Sequence, residues 1–528
     1  MIIVFFMMIF TGRRIQFCAK SKALILLTLL TGAGALFAED GQKLDNLLAG
    51  YLKNDLELQK CVLTAQAKQI ALNSSKIQNG INVELSTGQM QIQSSGDKTK
   101  IYVKPQATVS LPKANGLELT ASVPVTVEDG QKSVSNGSVG LSAEIIGSGR
   151  DKAKLSEIQA ERALTVAERA VRDRALTAEK EFYEELKTLY NYAIKISTLK
   201  NDLYDDQLDL KVLETQGYSK TSAKYRQAYL QVQSDERDIM EQQRIFERQT
   251  AVFAKKCGFE YSRGNSYGGK TGDANQDGEI AYTSAMEFLP SSIPEVSEVN
   301  IFDFDSETYS KIESAAWDKY IGNLQRKSES DSYLKAGVGY IINNDFLADD
   351  DTSSKSDSVE GTLSWNWGGL TASAGVGLPT GSSIAGDNST GKTFNPYYTL
   401  SFAINPGEFL VSRNDKEQDR IDSKIEDIAL KSAQDDWETE ILERTNEFHD
   451  LKWAQNSYAE EYKLYTQLES DMKKWLSQGS VTESDYLDAL NNREKARLNI
   501  MINSIEQIIY NNEVKLLFTA DSSKKGEN

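Results

Sequence analysis

The chain alternates between two hydrophobic periods, and it does so twice. Residues 44–73 place Leu44, Leu47, Leu48, Tyr51, Leu52, Leu56, Leu58, Val62 and Leu63 at helical spacing. From Ile77 to Ile146 the period drops to two. Ile81, Val83 and Leu85 alternate with polar residues, and three further runs follow, over 101–111, 117–127 and 139–145. Turn formers Gly96-Asp97, Asn115-Gly116 and Asp129-Gly130 separate them. Lys152–Gln216 then reads as one uninterrupted helix, roughly 95 Å long at 1.5 Å per residue. Gly217 breaks it, and a return helix spans 221–256. Residues 258–305, rich in Gly, Ser and Asp, read as a connector.

The same order then returns. A helix covers 306–328, four strand-like runs lie within 332–405, and a second very long helix covers 415–478. Gly479 breaks it, and a return helix extends from 482 to 518. Arg150 precedes Gly217 by 67 positions and Arg413 precedes Gly479 by 66. Beyond the breaks, Thr221, Tyr225, Ala228, Ile239 and Met240 match Thr482, Tyr486, Ala489, Ile500 and Met501 at one constant offset. Five matches within one element order indicate duplication. The expected repeats are 39–257 and 306–518, with 519–528 a disordered tail.

Helices this long need partners for their apolar faces, which antiparallel hairpins broken at Gly217 and Gly479 supply. Strands in lipid must close into a barrel, because an open edge leaves its backbone groups unsatisfied. Trp365, Trp367, Tyr397, Tyr398 and Phe402 lie where an aromatic girdle would sit. One chain has too few strands for a wide pore, so several chains are expected to share a barrel. A water-soluble β-sandwich on a coiled-coil stalk is the competing reading.

The first residues narrow the setting. Arg13, Arg14, Lys20 and Lys22 precede an apolar stretch, Ala23–Leu30, and the small residues Ala33, Gly34 and Ala35. Residues 1–38 therefore read as a secretory signal peptide. Net charge is -18. Removing the leader takes away four positive charges and no acid, leaving about -22. Such acidity argues against nucleic acid as a partner. Beyond the leader no stretch approaches a transmembrane helix, so a membrane span must be built of strands. Two cysteines remain, Cys61 and Cys257, whose pairing the sequence leaves open.

The order helix, strands, long helix, glycine break and return helix, given twice, resembles the TolC-type outer membrane efflux family. The sharpest local match is Gly479-Ser480-Val481-Thr482-Glu483-Ser484-Asp485-Tyr486-Leu487-Asp488-Ala489, similar to that family's second hairpin-tip motif. The resemblance implies a mainly α fold with membrane β-strands. Duplicated long hairpins would form an α-barrel tunnel, and three protomers would share a β-barrel. It implies a homotrimer in the outer membrane that extends into the periplasm. It also implies docking to a periplasmic adaptor (membrane fusion) protein and an inner-membrane transporter. One departure is plain: the family usually has two strands per half, and four candidate runs are present here.

Asp485 and Asp488 sit three apart near a helix N-terminus, where the dipole favours carboxylates. Their ordinary role there is capping and solvation. By resemblance, they line a constricted entrance, where rings of carboxylates select cations and bind divalent blockers. The corresponding residues of the first half are Lys224 and Gln227, so the acidity is not duplicated. Asp273, Asn275 and Asp277, followed by Gly278, resemble the start of a calcium loop, although the twelfth position is Ser284. The plainer reading is an acidic surface loop, and no other cofactor is expected. His449 is the only histidine and lies inside a long helix, so a multi-histidine metal site is impossible. With no catalytic constellation and no phosphate-binding loop, the expectation is a passive conduit for efflux or type I secretion, energised by another protein, and not an enzyme. The rivals are a surface adhesin or structural coiled-coil protein with a β-domain, and a periplasmic adaptor.

Overall fold

The computed structural model describes residues 39–88, 90–95, 98–128, 131–134, 137–262, 274–329, 332–342, 358–379 and 396–519. The expected signal peptide, most of the expected tail, Asp273 and the turns Gly96-Asp97 and Asp129-Gly130 lie outside them. The element order is α1 (Glu39–Asn54), α2 (Leu56–Gln78), eight strands β1–β8 between Asn82 and Ile146, α3 (Gly149–Thr215) and α4 (Ala223–Lys256). There follow α5 (Ala274–Phe288), two short 3-10 turns, α6 (Ser310–Ser328), β9 (Tyr333–Ile342), β10 (Ser358–Trp367), β11 (Leu370–Pro379), β12 (Tyr397–Ile404), α7 (Pro406–Ser477) and α8 (Glu483–Leu516). Helices α3 and α7 run 67 and 72 residues without a break. The chain divides into two compact units.

The first unit comprises residues up to 62, 170–301 and 444–516. Its core joins Leu44 of α1, Phe182, Leu186 and Tyr190 of α3, Phe246 and Phe253 of α4, and Leu498 and Ile505 of α8, all buried. Each such side chain withdrawn from water stabilises by about 1.5–3 kcal/mol. Around this core Lys180 and Arg444 both reach Glu513, at 2.7 and 2.6 Å. The connector is clasped to α8, with Val299 N–H donating to Asn511 Oδ1 at 2.7 Å. Cys61 and Cys257 are free thiols, which answers the pairing question.

Three element boundaries differ from the sequence reading. The first helix is two, because Asp55 accepts from the backbone N–H of Glu57 and Leu58 and so starts α2 afresh. Helix α7 begins nine residues before the expected Asp415. Pro406 takes the first helical position, where its missing N–H costs nothing, and Asn405 Oδ1 accepts from Gly407 N–H at 3.1 Å. The connector contains a helix, α5, where a loop was expected. Gly278 lets α5 lie against α4: a Cβ there would stand 2.2 Å from Gln243 Oε1.

The second unit holds the sheets, with α6, the other parts of α2, α3 and α7, and the residues after 516. Arg162 and Arg169 both chelate the Glu313 carboxylate, holding it below the usual carboxylate range against the effect of burial. Phe304 stacks on Phe518 at 4.0 Å, and Trp437 and Tyr309 pack beside them.

The main sheet is antiparallel throughout, in the order β1-β4-β5-β8-β9-β10-β11-β12, and a smaller sheet has the order β2-β3-β6-β7. The expected run 101–111 is two strands, β3 (Lys98–Val103) and β4 (Gln106–Leu111), and the run 117–127 is likewise β5 (Leu117–Ser122) and β6 (Val125–Glu128). Pro105 and Pro124 divide them, since neither has an N–H for the ladder. The pairing register passes through both prolines unchanged, and Val123 N–H still donates to Pro105 O. On one flank, between β1 (Asn82–Ser86) and β2 (Met90–Ser95), a bulge at Gly88 (φ +59°) adds a residue. The other flank runs from β7 (Gln131–Val134) to β8 (Gly137–Ile146). The two sheets of the first repeat are thus one four-strand meander, creased along a line of bulge and proline. The second repeat supplies the other four strands, β9–β12.

Candidate functional site at the hairpin tips and on the sheet

Both hairpin tips use one backbone device. Gly217 and Gly479 adopt φ of +76° and +69°, the left-handed region open to glycine. Tyr218 N–H donates to Leu213 O and Gly217 N–H to Glu214 O. Ser480 N–H and Gly479 N–H do the same to Trp475 O and Leu476 O. This pair of bonds satisfies the last carbonyls of each outgoing helix. Ser222 then caps α4, its Oγ accepting from Tyr225 N–H. Tyr225 donates back to Glu214 of the outgoing helix at 2.8 Å. Its repeat partner Tyr486 reaches Glu469 of α7 at 3.5 Å.

The two aspartates of the second tip have different surroundings. Asp485 accepts from Thr482 N–H at 2.8 Å and from Thr482 Oγ1 at 2.7 Å, while Asp485 N–H donates to Thr482 Oγ1. This is a reciprocal cap in which aspartate fills the usual glutamate place. The Thr482 hydrogen bonds hold the Asp485 carboxyl below its ordinary range. Asp488 takes no part in capping and accepts from Asn492 Nδ2 at 3.0 Å. Burial first, and then the charge of Asp205 on α3, push it above the ordinary range. Asp205 lies near Asp488, and Asp206 beside Asp235 of α4. Asp235 is 8% exposed, with its Oδ2 unpartnered among the described residues, and burial and Asp206 raise its carboxyl to about 6. No local motif announces Asp235; only the pairing of α3 with α4 does.

Asn275 and Asp277 lie within helix α5. Residues two apart on a helix do not face one another, so the loop geometry a calcium ion needs is absent there. Among the described residues no group of three or more His, Cys, Asp or Glu side chains is placed to hold a metal ion. His449 packs its ring against Phe448.

The second feature is the main sheet, whose rows across the strands sort by polarity. Leu85, Ala107, Ala121, Val139, Tyr340, Val359 and Leu378 form one row. The next contains Glu84, Thr108, Thr120, Gly140, Gly339, Glu360, Gly377 and Tyr397, and the one after it Val83, Val109, Leu119, Leu141, Val338, Gly361, Val376 and Tyr398. One face is apolar and the other, apart from Ile341 at its rim, is small or polar across all eight strands. The apolar face is bare: Leu85 is 78% exposed, Phe402 67% and Leu400 87%. Strands β2, β3 and β6 of the smaller sheet sort the same way. Met90, Ile92, Ile101, Val103, Val125 and Val127 share a face, opposite Gln91, Gln93, Lys100, Tyr102, Thr126 and Glu128. Among the described residues no helix is long and apolar enough to cross a membrane.

Residues 47–293 match the model of the TP096X N-terminal domain, and residues 294–521 that of the TP096X C-terminal domain. The chain carries both TP096X domains, in order. Their junction falls in the connector between the two TP096X repeats of strands and hairpin. No curated protein matches the sequence. Among solved structures, the open state of the Neisseria gonorrhoeae MtrE outer membrane channel is 11% identical, with a TM-score of 0.47, over 91% of this chain and 90% of that one. The outer membrane protein VceC of Vibrio cholerae is 11% identical, with a TM-score of 0.44, over 90% and 96%. The Campylobacter jejuni CmeC outer membrane channel is 11% identical, with a TM-score of 0.42, over 91% and 88%.

Proposed function

We propose that the chain is one protomer of an outer membrane channel, a passive gated conduit for small molecules or secreted protein. The observation that carries this reading is the two-faced sheet. A bare apolar face of this extent is costly in water, and alternation of apolar-out with polar-in is what a lipid-embedded barrel around a wet lumen requires. The exposed aromatics Trp365, Trp367 and Tyr398, all on the apolar face, suit a membrane boundary; Tyr397, expected there too, lies on the polar face beside Glu360. Unpartnered helix faces, Leu63, Ile70 and Ile77 on α2 and Ile421, Ile425 and Ile428 on α7, suit burial against further copies. In this reading three copies share one barrel, and the hairpins extend into the periplasm. There they meet an adaptor and an inner-membrane transporter that supplies the energy.

The second tip would then be the entrance. Asp488 has the freer carboxylate and faces Asp205, so copies around one axis would gather a negative ring that prefers cations. Asp485 would serve that ring chiefly by fixing the helix start. Purified protein in planar bilayers tests the proposal. Expected are cation-preferring pores blocked by millimolar divalent ions, with the block weakened about tenfold by Asp488→Ala and much less by Asp485→Ala. A protein that stays in the aqueous fraction and conducts nothing would refute the channel reading. Block unchanged by either substitution would remove the tip from it.

A further inference from the structure

We infer that the main sheet is one sector of a ring, closed where the β12 edge of one copy pairs antiparallel with the β1 edge of the next. Each copy then contributes eight strands, not the four that two per half would give. The inference rests on the channel reading and names the partner surface within it.

Among the described residues the sheet begins at β1 and ends at β12, and neither has a second neighbour. Edge N–H and C=O groups have no water to satisfy them in hydrocarbon, so both edges must find a strand. Every pairing in the sheet is antiparallel. With eight strands, β1 and β12 run in opposite directions. Copies placed head to tail therefore meet in the antiparallel sense, and the junction repeats until the ring closes. With the three copies proposed above, the ring holds 24 strands.

Closure of β1 on β12 within one chain is the alternative. An eight-strand barrel is just wide enough for inward side chains to fill it. The polar face here cannot pack as a dry core: its central row sets Gly140, Gly339, Gly377, Thr108 and Thr120 among the charged Glu84 and Glu360 and the tyrosine Tyr397. Such a face suits a wide, wet lumen. The smaller sheet continues the design, since its apolar face stays in phase with the main one across the proline crease. The first repeat's strands thereby reach membrane length although β1, β4 and β5 have only five or six residues each.

The faces also fix the junction's parity, since a slip of one residue would turn apolar side chains into the lumen. Glu84 must face the same side as Tyr397, Thr399, Ser401 and Ala403, and Val83 and Leu85 the same side as Tyr398, Leu400 and Phe402. In the full chain with Cys61→Ser and Cys257→Ala, Glu84→Cys is combined in turn with Tyr397→Cys, Thr399→Cys, Leu400→Cys, Ser401→Cys or Ala403→Cys. Membranes are oxidised with copper phenanthroline and run on non-reducing gels. The expected result is a ladder of multiples of the chain mass for one of the odd-numbered partners, its top band counting the copies, and none for Leu400→Cys. A disulfide confined to single chains, a ladder with Leu400→Cys, or no cross-link at any odd position would overturn the junction. Conductance of the parent protein is measured in parallel, so a failed junction with intact pores is distinguishable from a failed channel.

Discussion

Replacing Leu400 by Arg, with Ser401→Arg as its control, separates a lipid-facing sheet from a water-facing one. The two residues are neighbours at mid-strand in β12 and point to opposite faces. Leu400 is 87% exposed, so in water its replacement forfeits no buried contact and moves stability by less than about 0.5 kcal/mol. Ser401 shares a 2.7 Å hydroxyl hydrogen bond with Ser373, and losing it costs about 0.5–1.5 kcal/mol. A water-facing sheet therefore makes Ser401→Arg the worse variant. In a bilayer the order inverts, because an Arg at mid-depth on the lipid face costs about 2–4 kcal/mol, while one in a wet lumen loses only the serine bond. That is a fall of roughly 30-fold to several hundredfold in the folding equilibrium. The assay is urea unfolding of protein refolded into lipid vesicles, followed by tryptophan fluorescence and by heat-dependent migration on gels. Equal midpoints, or a lower one for Ser401→Arg, would refute the assignment of this face to lipid.

Three further outcomes follow from the helices. Gly479→Ala should destabilise the second tip by about 1 kcal/mol, because its φ is +69° and its Cβ would meet nothing within 4 Å; faster amide exchange confined to the tip would show it. Gly50→Ala should be far more harmful, since its Cβ would stand 2.0 Å from Cys257 O. Asp235→Asn should stabilise the first hairpin at neutral pH and leave it unchanged in acid. The folded carboxyl at about 6 lies above its unfolded value near 4, so the cost of charging it is absent below about pH 4 and complete above about pH 6. Thermal unfolding of both proteins from pH 4 to pH 8 checks the sign.

Much of this architecture was legible because it is written in period. The two long hairpins follow from helical spacing that ends at Gly217 and Gly479, whose positive φ only glycine adopts freely. Four strand runs per half also stand, as a meander in each repeat. What escaped lies below the reach of period. Alternation continues through Lys104-Pro105 and Val123-Pro124, so the crease shows only as missing ladder bonds. Helical spacing persists across Asp55, so the break there shows only in the cap. Pro406-Gly407 reads as a stop signal, yet behind Asn405 it starts a helix. The composition of 258–300 suggested loop, but Gly278 is small so that α5 can press on α4.

The candidate site divides along the same line, and the division bears on how the two repeats diverged. Thr482 and Asp485 could be placed from sequence because a cap is local, whereas the capping role the sequence also gave Asp488 is not what the fold gives it. Asp205 and Asp235 could not, because their environments are made by pairing one helix with another. The backbone of the tip is duplicated, with the same glycine, the same two carbonyl bonds and a tyrosine tied back to a carboxylate of the outgoing helix. Its charge is not, since Lys224 and Gln227 stand where the second tip has Asp485 and Asp488. The two tips thus share one scaffold and differ in charge, the second alone carrying this pair of acids. In the proposed channel, any selective surface at the tips would therefore belong to α8 and the neighbouring Asp205. The first tip contributes its acid inward instead, where Asp206 and Asp235 meet between α3 and α4.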